Sequence, residues 1–215
     1  MEQRDPAGIT SATVGAAVPG LDEAEVAATI ARARRDPLAF APLYRQLFPA
    51  VYGYCARRLG DPDEAADAAA QTFTRALAAL PRFQPDPARP GVTFRSWLFA
   101  IAHNAVVDAE RRRRRDPRPL DLDDHSETSD PLGQLADAGP SPEEWAVAAD
   151  EARRLQALLH QLTDGQRRVV ELRLAGLTGA EIATSLGIRI GAVKSTQFRA
   201  YARLRTLLTE TGGSE

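Results

Sequence analysis

The stretch "GLTGAEIATSLGIRIGAVKST", residues 176–196, leaves the chain little freedom in how it folds. Thr178-Gly-Ala-Glu181 is a capping box. The threonine hydroxyl accepts from the backbone N–H three residues on, and the glutamate reaches back to the threonine N–H. Ile182, Ala183 and Leu186 give the resulting helix an apolar side. Gly187 stops it, because glycine enters the left-handed region without a steric penalty. A second helix, predicted from about Ile190 to Leu208, starts almost at once. Two helices at a sharp angle around a short Gly-containing turn make a helix-turn-helix.

The second helix reads as two-faced. At about 100° per residue, Ile190, Val193, Tyr201 and Leu204 fall within a quarter of the circumference, with Ala192, Ser195, Arg199 and Arg203 opposite. A helix with a basic, small-residue face fits the major groove of DNA. The pattern alone also allows an ordinary helical hairpin with a solvated arginine face.

Alanine and leucine are many and aromatics are 6% of the 215 residues, which favours helix over sheet. No long uncharged apolar run is present, so no membrane span is predicted. The start of the chain, "MEQRDPAGITSATVGAAVPG", lacks a basic segment followed by an apolar core and reads as a disordered tail rather than a secretory signal. The one cysteine, Cys55, allows no internal disulfide and no cysteine-based zinc site. His103, His125 and His160 are far apart in sequence. Neither a metal nor a cofactor is expected, and the cytoplasm is the expected compartment.

The formal net charge of −2 conceals strong segregation. Residues 88–115 carry seven basic and two acidic side chains, residues 116–150 one and ten, and residues 151–215 ten and six. Two basic blocks around an acidic one suggest a polyanion met at two places.

Further helices precede the helix-turn-helix. "DPDEAADAAAQTFTRALAALP" offers Asp61 as N-cap, Pro62 in the first turn and a stripe of Ala66, Ala69, Ala70, Phe73, Leu77 and Leu80. "TFRSWLFAIAHNAVVDAERRRRR" places Phe94, Trp97, Leu98, Ile101, Ala102 and Ala105 on one face, and the pattern favours packing over base stacking for Trp97. Leu43, Leu47, Val51 and Tyr54 share a face upstream, with a kink expected at Pro49. The expected fold is all-α: a disordered tail over 1–21, a helical domain over 22–115, an acidic Pro-rich linker over 116–141, a second helical domain over 142–208 and a short tail over 209–215.

Two blocks in this order resemble a known family. "DPDEAADAAAQTFTRALAALPRF" followed by "TFRSWLFAIAHNAVVDAERRRRR" resembles region 2 of the bacterial sigma-70 family, and "LTDGQRRVVELRLAGLTGAEIATSLGIRIGAVKSTQFRAYARLR" resembles region 4. The linker leaves no room for a folded region 3, which points to the extracytoplasmic-function (ECF) group. The resemblance implies a non-enzymatic subunit that directs core RNA polymerase to promoter DNA, with an anti-sigma factor as a further partner and no insertion into a membrane. It implies polymerase contacts by Asp63, Glu64, Asp67, Gln71 and Arg75. It implies −10 element contacts by Arg95, Asn104, Asp108, Arg111 and Arg112, with an extruded base captured near the loop "RFQPDPARPGVTF". It implies −35 element contacts by Thr178, Arg189, Lys194, Ser195, Thr196, Arg199 and Arg203. The linker acids Asp121, Asp123, Asp124, Glu127, Asp130 and Asp137 suit either a soluble tether or a segment that mimics nucleic acid in a basic cleft. The alternative is a helix-turn-helix regulator independent of polymerase, which would have no use for the 61–115 block.

Overall fold

A computed structural model of the chain describes residues 22–115 and 153–212. The expected tail over 1–21, the linker with its acids, His125, and the outer parts of the second domain and C-terminal tail lie outside the described residues.

The first unit holds four helices, α1 (Glu23–Ala33), α2 (Ala41–Leu59), α3 (Pro62–Ala79) and α4 (Pro90–Arg115), with single 3-10 turns at Pro37–Phe40 and Leu80–Arg82. Side-chain caps start α1 and α3. The Asp22 carboxylate accepts from the Ala24 N–H at 3.0 Å, and Asp61 accepts from the Glu64 N–H at 2.8 Å. Gly60, at φ 76°, ends α2 in the left-handed region and turns the chain straight into α3. Pro49 sits inside α2 without ending it. The Glu23 carboxylate accepts from the Gly91 N–H, so α1 caps the start of α4.

These helices close around an aromatic core. Phe40 lies edge-on to Phe73 and Phe94, with centroids 6.3 and 6.1 Å away, and Phe83 stacks on Trp97 at 4.4 Å. Trp97 is thus held by packing, as its place in the apolar stripe predicts. The α3 stripe is set differently from the sequence expectation. Ala65, Ala68, Ala69, Thr72, Phe73, Ala76 and Leu80 are buried, whereas Ala70 is exposed and Ala66 and Leu77 are half-buried. An alanine-rich helix gives no sharp apolar edge to read, and Thr72 is buried because its hydroxyl donates to the Ala68 carbonyl at 2.7 Å.

The second unit holds α5 (153–160), α6 (Asp164–Leu174), α7 (Gly179–Leu186) and α8 (Ile190–Gly212). Capping boxes start α6 at Thr163/Gln166 and α7 at Thr178/Glu181; the first of these escaped the sequence reading. Gly187, at φ 65°, closes α7 as expected. Leu159, Leu162, Val170 and Ala200 form a small core of its own.

The two units also pack on each other. One continuous core joins Phe94, Leu98 and Phe99 of the first to Val169, Leu172, Leu177, Ile182 and Val193 of the second. The main seams run between α4 and α7 and between α2 and α6. Among the described residues, no helix is long and apolar enough to cross a membrane.

Candidate nucleic-acid interface

Helix α8 carries the second basic block outward. Val193 and Ala200 are fully buried, Leu204 is half-buried, and Lys194, Ser195, Arg199 and Arg203 are exposed. Thr196 lies half-buried at the flank, Arg189 is exposed in the preceding turn, and the exposed Thr178 spends its hydroxyl on the capping box. The outward face differs from the sequence expectation in one respect. Ile190 is 49% exposed, and its neighbours Arg189, Gly191 and Ala192 are exposed as well, so it does not belong to the packed side. The packed side is centred on Val193 and Ala200, which rotates the outward arc by roughly 60°. Its middle is Ser195, Phe198, Ala202 and Arg205, with Lys194 and Arg199 on either side.

Phe198 is 77% exposed at the centre of this arc. A rule that sends apolar residues inward misses it; its phase relative to Val193 and Ala200 would have found it. The Ser195 hydroxyl donates to the Ala192 carbonyl at 3.1 Å, and Arg199 Nε donates to the Ser195 carbonyl at 3.3 Å. Both contacts are exposed and local, so the side chains keep free hydrogen-bonding capacity.

In the first unit, Asp63, Asp67, Gln71 and Arg75 fall four residues apart and form one row along α3, with Glu64 beside it. Asp63, Asp67 and Arg75 are exposed, and Glu64 and Gln71 half-buried. Arg75 Nη1 pairs with Asp108 Oδ2 at 3.1 Å, and Glu64 with Arg113 at 3.5 Å, so this row meets α4 along its edge.

On α4, Asn104, Asp108, Arg111 and Arg112 fall within an arc of about 100°, with Asn104 and the arginines exposed. Arg95 stands apart, about half a turn from Asn104. Its guanidinium reaches Glu181 Oε1 of α7 through Nε and Nη2, each at 2.6 Å. The loop over 84–89 is largely exposed and is braced by Asp86, whose carboxylate accepts from the Ala88 N–H at 2.9 Å.

A polar cluster that sequence reasoning missed lies between the units. The Arg58 side chain is fully buried. Its guanidinium lies 2.5 Å from Glu110, 3.2 Å from Asp164 and 3.5 Å from Glu171. Burial opposes charge on Arg58, but Glu171, Tyr54, Glu110 and Asp164 raise its pKa overall. Burial pushes the Glu171 carboxyl up to about 7, against the pull of Arg58, Arg167 and Arg57. Burial first, then Arg168 and Arg58, hold His103 down at about 4, so its ring is neutral beside the Tyr54 hydroxyl at 3.1 Å. Among the described residues, no group of three or more His, Cys, Asp or Glu side chains is placed to hold a metal ion.

Residues 43–116 match the family model for sigma-70 region 2, and residues 152–204 match that for sigma-70 region 4. The chain is 35% identical over 178 residues to the ECF RNA polymerase sigma factor ShbA of Streptomyces griseus, spanning 80% of this chain and 88% of that one. The solved structure of CnrH in complex with the cytosolic domain of CnrY matches with a TM-score of 0.61 at 28% identity, over 88% of this chain and 97% of that one. The sigma factor RpoE, solved with the anti-sigma factor NepR from Bartonella quintana, shares the fold with a TM-score of 0.53 at 23% identity, over 79% of this chain and 96% of that one.

Proposed function

Since the chain belongs to the ECF group of the sigma-70 family, we propose that it binds core RNA polymerase in the cytoplasm and directs transcription initiation at promoters read through their −10 and −35 elements. The observation that carries this reading is the outward face of α8, with Lys194, Ser195, Phe198 and Arg199 exposed, on the same chain as the α3–α4 block. A regulator that only bound an operator would need α8 and its support, but not that block.

Each surface has a physical part. The α3 row is the polymerase face, where exposed charges steer docking more than they add affinity. Asn104 and its neighbours on α4 meet the −10 strand after it separates, because extruding a base costs least where the duplex is already opening. On α8, Ser195 and Arg199 lie at base edges or adjoining phosphates, Phe198 offers an apolar surface to thymine methyls, and Arg203 holds the backbone. An anti-sigma protein is the third partner, as in the RpoE–NepR pair.

The test is run-off transcription with purified core polymerase and this chain, followed by mapping of the start sites. Defined starts that require the chain support the reading, and their absence with active core polymerase overturns it. Asp67→Ala with Gln71→Ala removes two side chains of the α3 row without weakening the helix, since alanine favours helix. The expected result is weaker core binding with unchanged unfolding temperature.

A further inference from the structure

Helix α1 grips both ends of the loop over 84–89. Its apolar residues Val26, Ile30 and Ala33 are buried in the shared core, which fixes the helix in place. At its C-terminal end, Arg34 Nε donates to the Leu80 carbonyl at 3.4 Å, and Arg34 Nη2 donates to the Phe83 carbonyl. At its N-terminal end, the Glu23 carboxylate accepts from the Gly91 N–H. The two residues stand eleven positions apart, about 16 Å along the helix axis.

Among the described residues, neither Glu23 nor Arg34 has an oppositely charged partner, so both charges act on backbone groups of one segment. A carboxylate suits the start of α4, where the first N–H groups lack partners inside the helix and the dipole favours negative charge. A guanidinium suits two carbonyls, because it holds several donors in a fixed fork and no acceptor. Gly91 belongs to the same device. A Cβ there would lie 3.0 Å from Glu23 Oε2 and 3.2 Å from its Cδ, so any side chain at this position pushes the carboxylate away.

Between these anchors the chain faces solvent. Phe83 is buried against Trp97 and Phe94, whereas Gln84, Asp86, Pro87, Ala88 and Arg89 are exposed. The Arg89 N–H donates to the Asp86 carbonyl at 3.1 Å, and the Asp86 N–H donates to the Thr93 hydroxyl at 3.4 Å. Such local bonds shape the middle of the loop. The bonds from α1 set where the loop stands on the scaffold.

We propose that Glu23 and Arg34 are positioning residues for −10 recognition, which from opposite ends of α1 hold the 84–89 loop in the shape that receives the extruded base. The proposal rests on the promoter-reading function above. A loop already held in its binding shape loses little freedom on capture, so the brace acts on affinity for the captured base. Neither residue is bonded to the Asp63–Arg75 row or to α8, so core-polymerase and −35 binding lie outside its reach.

The test uses the full chain and the non-template strand of a promoter mapped by run-off transcription, intact and with an abasic site at each −10 position in turn. The unsubstituted chain should lose affinity when the captured position is abasic. Glu23→Ala and Arg34→Ala should each weaken binding of the intact strand about fivefold, as when the competent loop shape falls to about a fifth of the population. On the strand abasic at the captured position, both should bind as the unsubstituted chain does. Glu23→Gln keeps an acceptor for the Gly91 N–H and should restore affinity for the intact strand. Gly91→Ala, which favours helix, should act in the same direction as Glu23→Ala by less, and should add no loss once Glu23 is alanine. Affinity for a −35 duplex and for core polymerase should stay unchanged throughout, which reports a folded chain.

Backbone amide exchange over 80–93 gives an independent reading and should be faster in both alanine variants. Unchanged exchange overturns the brace. Faster exchange with undiminished affinity for the intact strand overturns the positioning role, as does a loss of equal size on the abasic strand. An unsubstituted chain indifferent to an abasic site at every position fails the promoter reading and this proposal with it, a result in which the variants play no part.

Discussion

The two helical units use the same side chains for opposite purposes. All phenylalanines but one lie in the first unit, and Phe40, Phe73, Phe83, Phe94 and Phe99 are buried while Phe48 packs against them. The remaining one, Phe198, stands in solvent on α8. Arginine spans the same two extremes, although Arg75, Arg111 and Arg112 of the first unit are exposed as well. Arg58 of the first unit is fully buried among carboxylates, whereas Arg199, Arg203 and Arg205 of α8 are all exposed. The role of a side chain is set by what surrounds it. The first unit spends its aromatic rings on holding a scaffold rigid, and the second sets one out as a contact.

Truncating the buried members should have the largest effect. Phe94→Ala should destabilise the fold by about 3–5 kcal/mol, since it removes a large ring from a filled core. Arg58→Ala should cost a similar amount, about 3–5 kcal/mol, because the fully buried Glu171 would lose its nearest counterion, leaving Arg167 at 3.9 Å. Denaturant unfolding measures both. A loss below about 1 kcal/mol for either, the range of an ordinary substitution, would break the contrast on the side of the first unit.

The matched changes in α8 should leave stability within about 0.5 kcal/mol, as exposed substitutions do. Their effect belongs to binding. Arg199→Ala should cost about 1–3 kcal/mol on a −35 duplex and relax preference at one position if the guanidinium is bidentate to guanine. Phe198→Ala should weaken sites in proportion to the thymines they place under the ring. Arg203→Ala should weaken all sequences about equally and lower the salt slope by roughly one unit. Titration of the full chain against duplexes carrying every single-base change separates the three. Stability losses in place of binding losses would show that α8 packs as the first unit does.

A smaller effect sharpens the contrast at the buried cluster. His103 has a folded pKa near 4, below its ordinary 6.5, so its contribution to stability is complete above about 6.5 and is lost as pH falls toward 4. Glu171 is raised from 4.5 to about 7, so its contribution is complete below 4.5 and is lost as pH rises toward 7. The two slopes oppose each other over the shared window. Glu171→Gln should leave a chain that weakens on acidification from pH 6.5, and His103→Gln one that weakens as pH rises from 4.5. Equal slopes in the two variants would contradict the assignment.

What the sequence made legible was local. Asp61, the Thr178–Glu181 capping box and Gly187 act over one helical turn, and each stands where the residue pattern puts it. The helical class and the two basic blocks follow from composition and charge along the chain. The α3 stripe was out of register because alanine fits either side of a packed helix. Ile190 was misjudged and Phe198 passed over because apolarity says what a residue prefers, not whether a neighbour reaches it. Arg58 was invisible because its carboxylates come from positions 110, 164 and 171, and no local pattern links them. The candidate surfaces were legible as sets on α3 and α8; the nine-residue spacing already sets Arg95 half a turn from Asn104, while its pairing with Glu181 shows only when α7 is seated.

The arginine between the units also carries an order of events during synthesis. Glu110 is the first of its partners to be made, and it belongs to the same unit, at 2.5 Å. Asp164 leaves the ribosome 54 residues later, a delay of roughly 3–10 s at ordinary elongation rates. During that interval a nascent first unit has its buried charge already matched and its α3 row complete. The later carboxylates then find the guanidinium in place, so the seam assembles onto a finished scaffold instead of competing with its formation.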